Sequence, residues 1–217
     1  MLIMTADELE SALLSLKEQG AHNINFVTPS HYFFELARLL ERVKPKLDIP
    51  IVCNCGGYES KEGLAALDGL VDVYLPDFKY VSSEISAKYS HAPDYFEVAM
   101  SAIEEMLRQR GKYRYFESDQ ALLASGVLIR HLVLPSHRKD SIEILTRLSE
   151  HIDPSAVLLS IMSQYTPDFA LDTPYTELHR KITSFEYSSV CDKAASLGFV
   201  GFTQSRASAS KSYTPDF

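Results

Sequence analysis

A chain of 217 residues, 46% of them hydrophobic, can bury a core without disulfide or metal staples and fits one domain. Its net charge of −8 excludes non-specific nucleic-acid binding, which needs a positive surface to displace counterions, but leaves room for a local basic pocket that takes a carboxylate or phosphate. The N-terminus turns polar after Met4 and reads as neither signal nor transit peptide, and no apolar run approaches the roughly 20 residues that a bilayer crossing needs.

The first predicted element is a helix. Thr5 and Glu8 form a capping box, Leu9, Leu13 and Leu16 share one face, and Gly20 ends it. A strand over Asn23 to Thr28 precedes a helix from His31 to Val43, stopped by Pro45. Ile49 to Cys53 is the second strand, Ser60 caps a short helix through Leu67, and Val71 to Leu75 is the third strand, ended by Pro76. Helices follow at Ser83–Tyr89 and Tyr95–Arg110, and Lys112–Ala124 reads as an irregular loop. Val127–Leu134 is the fourth strand; Asp140 and Glu143 open a helix to His151; Val157–Met162 is the fifth strand. After a turn-rich connection over Thr166–Thr176, Thr183 and Glu186 repeat the capping box before a last helix that Gly198 closes, and Phe199–Phe202 forms a short final strand. Continuously apolar strands separated by helices imply parallel pairing with right-handed crossovers, hence an α/β open or partial barrel with its site at the carboxyl ends of the strands. The expected domain covers residues 1–204, and 205–217, rich in Ser and Ala, reads as a disordered tail. That tail ends in Tyr213–Phe217, which repeats Tyr165–Phe169.

Polar clusters sit where such a site would form. They are Val27–His31 (with Thr28 and Ser30), Asn54–Tyr58, Asp77-Phe78-Lys79, Arg130-His131 and Ser163-Gln164-Tyr165. Alternation puts Asp77 and Lys79 on one side and Phe78 on the other. A carboxylate beside an ammonium can hold a zwitterionic amino-acid group; it can equally be a plain ion pair, or a desolvated Lys79 can act as a Schiff-base nucleophile. Asn54 offers a donor and an acceptor beside paired glycines that admit a ligand, or the segment is just a turn. Of Arg130 and His131 one faces inward; Arg130 suits a ligand carboxylate or ribose edge, or an internal salt bridge to Asp77. Gln164 and Tyr165 either contact a ribose or adenine or cap the rim. Cys53, Cys55 and Cys191 form an odd, small set that suggests a reducing cytoplasm, and Cys53-x-Cys55 lacks the spacing and further ligands of a metal site.

The stretches Gly20–Pro29, Val71–Tyr80, Tyr89–Tyr95, Ile129–Pro135 and Met162–Tyr165 together resemble radical S-adenosylmethionine (SAM) proteins of the pyruvate formate-lyase activating enzyme-like group, across most of Thr5 to Gln204. The resemblance implies a partial (β/α)6 TIM-like barrel that holds SAM and a [4Fe–4S] cluster. Such an enzyme generates a 5′-deoxyadenosyl radical that abstracts hydrogen from a glycyl-radical enzyme or other substrate, with flavodoxin or ferredoxin as electron donor. It also implies that Thr28 to Ser30 replaces a Gly-Gly-Glu stretch meeting the SAM amino group. In the same way Asn54 and Cys55 replace an Asp-Thr pair, Asp77 and Lys79 lie near the methionine carboxylate, Arg130 matches a strand arginine, and Tyr165 falls where a histidine approaches the ribose. The group's C-x-x-x-C-x-x-C loop precedes its first helix and occurs nowhere in this chain, so the first strand and cluster loop are expected to be missing. A misplaced start, a split gene and a decayed copy all account for this. The intact form is expected to be a cytoplasmic iron-sulfur oxidoreductase without membrane or nucleic-acid partners, and the chain as written is expected to lack radical activity. The alternatives are a non-catalytic SAM-binding or interaction protein, or a barrel lyase using Lys79.

Overall fold

A computed structural model of the chain describes residues 4–117 and 122–203. The expected tail and its repeated pentapeptide lie outside the described residues. In chain order the elements are α1 (Ala6–Glu18), β1 (Ile24–Val27), α2 (Phe33–Val43), β2 (Ile51–Cys55), α3 (Lys61–Ala66), β3 (Val73–Pro76), α4 (Ser83–Ser90), α5 (Tyr95–Arg110), β4 (Arg114–Tyr115), β5 (Leu123–Leu132), α6 (Arg138–His151), β6 (Leu158–Met162), α7 (Ser184–Ser196) and β7 (Val200–Thr203). Short 3-10 turns connect several of them.

Contacts cluster into two compact units. One holds the residues up to Pro76 with Val98–Val127; the other holds Asp77–Glu97 and the residues from Leu128 onward. In the first, β1, β2 and β3 pair in parallel, β3 pairs with Gly126 and Val127 of β5, and β4 lies antiparallel to β5. In the second, the remainder of β5 pairs in parallel with β6, and β6 with β7. Among the described residues β1 has β2 as its strand partner and β7 has β6, so each unit ends on an open edge. The class is α/β with a mostly parallel, unclosed arrangement of strands, as a partial barrel requires.

Both capping boxes form. Thr5 accepts the Glu8 amide and Glu8 reaches back to Thr5; Thr183 and Glu186 do the same at α7. The Glu186 carboxyl also takes two nitrogens of Arg180, at 2.9 and 2.7 Å, and is held well below the usual carboxylate range by that guanidinium. In the first unit Leu40, Val43, Ile51, Leu64, Leu67, Ile103 and Met106 are fully enclosed; in the second, Ile129, Ile144, Leu145, Leu148, Val157 and Val190 are. No helix among the described residues is long and apolar enough to cross a membrane.

Three local expectations shift. Lys112–Ala124, read as a loop, contains β4 and the start of β5, because pairing to β5 rescues a polar, aromatic stretch that carries no strand periodicity. β2 runs to Cys55, two residues past the expected end, since Asn54 and Cys55 complete the ladders to β1 and β3. Asp140 does not cap α6, which begins at Arg138. Its carboxylate instead accepts the amides of Val81 and Ser82 at 3.3 and 2.9 Å, and burial raises its pKa.

Candidate functional site

The second unit gathers most of the polar residues that the sequence singles out. Past the end of β3, Asp77 forms a parallel bridge with Arg130, and the Phe78 amide donates to the Arg130 carbonyl at 2.8 Å. The chain therefore stays extended over Asp77–Lys79 and alternation holds: Phe78 is 1% exposed against Phe96, while the two charged side chains stay at the partly exposed surface with Arg130. Arg130 Nη2 lies 2.7 Å from Asp77 Oδ1, and Lys79 Nζ is 3.9 Å from Asp77 Oδ2. Arg130 thus fixes the carboxylate, and Lys79 stands more loosely beside it. Tyr95, not singled out by sequence, braces the turn by donating to the Asp77 carbonyl at 2.9 Å and accepting the Lys79 amide at 3.1 Å. Asp77, Lys79, Tyr80, Arg130, Met162 and Gln164 line a cavity of about 380 Å³, within the usual size of small-molecule sites. Tyr165, expected beside Gln164, instead donates to the Leu178 carbonyl at 2.8 Å.

His131 faces the other way. It is 2% exposed, and its Nδ1 sits 2.7 Å from the Phe78 carbonyl, to which it donates. Burial pushes its pKa below the ordinary 6.5, so the ring is held neutral, and its buried Nε2 has no hydrogen-bond partner among the described residues. A depressed histidine pKa means that the unfolded chain takes up the proton first as pH falls. Stability is therefore expected to drop as pH decreases through and below 6.5, and urea midpoints measured across that window should show it. His131→Asn, which keeps a donor for Phe78 and does not titrate, should make that slope shallower, the remainder belonging to His137, whose pKa burial also lowers; an unchanged slope would refute the assignment. Losses from Glu177, whose carboxyl is held down to about 2 by Lys88, fall in a more acidic window.

The first unit holds the other predicted positions. Thr28 closes β1 in the left-handed region at φ 52°, and its amide donates to the Asn54 carbonyl at 2.8 Å. A non-glycine residue in that region stores about 1–2 kcal/mol of strain, the kind that the surrounding structure must hold in place. Ser30 Oγ donates at 2.9 Å to Glu59 Oε1, which the Gly56 amide also reaches at 3.2 Å. Glu59 is 6% exposed and escaped the sequence reading, because a lone acid before a helix cap looks like solvated surface. Cys55 is 2% exposed; the neighbouring Cys53 thiol, burial and the charge of Glu59 all raise its pKa, so it sits in the core as a neutral thiol. Cys191 lies on α7, and burial raises its thiol as well. Among the described residues no group of three His, Cys, Asp or Glu side chains is placed to hold a metal ion.

The fold places the chain with α/β proteins of the partial-barrel kind. It superposes on a crystal structure of a domain of pyruvate-formate lyase-activating enzyme from Bacteroides vulgatus with a TM-score of 0.56, covering 84% of this chain and 98% of that one, at 10% sequence identity. At that identity the likeness speaks for the fold alone. In sequence the chain is 27% identical over 185 residues to the uncharacterized protein MJ0674 of Methanocaldococcus jannaschii, covering 84% of this chain and 48% of that protein. The chain thus spans about half the length of the curated relative it matches. No protein-family model matches it.

Proposed function

We propose that this chain is the SAM-binding body of a radical SAM protein of the pyruvate formate-lyase activating enzyme-like kind. The observation that carries the reading is the Arg130–Asp77–Lys79 array around a 380 Å³ cavity, in a fold shared with an activating-enzyme domain. A zwitterionic amino acid needs an anion for its ammonium and a cation for its carboxylate. Asp77 supplies the first, Lys79 the second, and the ion pair with Arg130 holds the Asp77 carboxylate in place. Gln164 presents an amide, donor and acceptor both, toward a sugar hydroxyl.

SAM therefore fits the residues present, and when bound it would supply a reactive sulfonium for radical formation. The [4Fe–4S] cluster does not fit them. Cys53 and Cys55 are buried neighbours on one strand and Cys191 belongs to α7, a donor set unlike the three thiolates such a cluster needs. By this reading the chain alone binds SAM without cleaving it. Hydrogen abstraction from a glycyl-radical enzyme or other protein, with flavodoxin or ferredoxin as donor, requires cysteines supplied by polypeptide beyond the described residues. A Schiff-base role for Lys79 is less favoured: its side chain is 41% exposed, without the desolvation that makes a lysine nucleophilic.

Calorimetric titration with SAM tests the reading. The wild-type chain should bind saturably with no 5′-deoxyadenosine formed, and Asp77→Ala should weaken binding by at least about tenfold, or about 1.4 kcal/mol. Because that change leaves Arg130 without its carboxylate, Lys79→Ala, which spares the Arg130–Asp77 pair, serves as a second variant and should also weaken binding. Absence of saturable binding, or equal affinity in both variants, overturns the proposal.

A further inference from the structure

The charges of the cavity and those of SAM have the same excess. Two cations line the wall, Lys79 and Arg130, against one carboxylate, Asp77. That carboxylate already accepts from Arg130 at 2.7 Å and stands 3.9 Å from Lys79. SAM likewise brings an ammonium and a sulfonium against one carboxylate. Once its ammonium meets Asp77 and its carboxylate meets Lys79, the sulfonium is a further cation inside a wall that is already positive, and like charges at such range repel.

The wall beyond the charged corner offers that sulfonium no counter-charge. Alternation along β5 puts Leu132 on the face that carries Arg130, and the register of β5 with β6 sets Met162 beside Leu132. Leu134 extends the same stretch. A cation held against apolar side chains loses hydration without a partner to replace it. A thioether is apolar and polarizable and suits the same bed, Met162 being one itself. Gln164, whose Nε2 lies 3.9 Å from Met162 Sδ, brings an uncharged amide. Asp140 turns its carboxylate to the amides of Val81 and Ser82 and is not among the lining residues.

We propose that the Asp77–Arg130 cavity prefers S-adenosylhomocysteine, the neutral thioether left when SAM gives up its methyl group, to SAM itself. The inference rests on the reading that the cavity takes the amino-acid end of SAM, and it adds a regulation to that site. The product of any methyl transfer from SAM competes for the cavity, so the chain gives up SAM when that product accumulates.

Parallel calorimetric titrations of the wild-type chain with the two compounds at low ionic strength test this. S-adenosylhomocysteine should bind more tightly by at least about threefold, the sense and order expected of one uncompensated like charge in a partly solvated site. Added salt should shrink the preference, because it screens charge and leaves the fit of a methyl group unaltered. Gln164→Glu, which changes charge without changing size, should bring the two affinities together or reverse their order. SAM that binds as tightly as the thioether, or more tightly, overturns the inference and leaves the SAM reading standing. A preference that neither salt nor Gln164→Glu moves would trace to the fit of the methyl group and overturns the inference as well. Binding of the thioether with none of SAM would support the inference and remove the SAM reading, and binding of neither removes both.

Discussion

Phe78→Ala is expected to cost about 3–5 kcal/mol of stability, the range for emptying a buried phenylalanine site. The side chain is 1% exposed and packs against Phe96, 5.7 Å between centroids. A typical domain is stable by about 5–15 kcal/mol, so much of the fold's margin would go. The loss has a second consequence. Phe78 is the inward anchor of an extended segment whose neighbours on either side, Asp77 and Lys79, reach the cavity. Its backbone is already held at both ends, the amide by Arg130 and the carbonyl by His131. Without the ring, that segment has two hydrogen bonds and no buried side chain to keep it in register. Denaturant unfolding should report the stability loss, and SAM titration at a temperature where the variant remains folded should report a weaker site. Phe78→Leu, which refills most of the volume, should recover the greater part of both; equal losses in the two variants would show that packing is not the cause.

Gly201→Ala is the second large effect. A methyl group placed there would lie 1.9 Å from the Leu159 carbonyl oxygen and 2.7 Å from the Leu159 carbonyl carbon and amide nitrogen. Those atoms are backbone of β6, paired in register with Gly201, and cannot move aside as a side chain can. We expect β7 to leave β6, because its four residues are exposed and hold little apolar surface against the change. Hydrogen exchange should show loss of protection at Gly201–Thr203, with overall stability falling by about 1–3 kcal/mol, as for other overpacked sites. Unaltered protection would mean that the strand tolerates a side chain and that the close approach is not needed.

Much of the chain's local organisation is legible from residue spacing. The T-x-x-E boxes at Thr5 and Thr183 both form, because a capping box joins a hydroxyl, an amide and a carboxylate only three residues apart. The period-two placement of Asp77, Phe78 and Lys79 also reads directly, since a strand's faces alternate whatever lies across from them. The Arg130–Asp77 ion pair was one of two readings that the sequence left open, and it is present at 2.7 Å. Glu59, Tyr95 and the Tyr89–His137–Glu177 cluster were not legible. Tyr89 meets partners 48 and 88 residues away in the chain, and no local pattern marks such a meeting. Asp140 was misplaced for the same reason: it has the look of a helix cap, yet its amide partners lie 58 and 59 residues upstream.

The sequence by itself determined the α/β class, the order of helices and parallel strands, and the side of the strand on which Asp77 and Lys79 stand, because each depends on apolar periodicity, caps and turns within a few residues. Only the tertiary structure decided which polar groups meet: that Arg130 orients Asp77, that Gln164 joins the cavity wall while Tyr165 turns to Leu178, and that Cys55 is sealed beside Cys53. Those are matters of strand register and long-range packing, where a shift of one residue turns a ligand-facing side chain into the core.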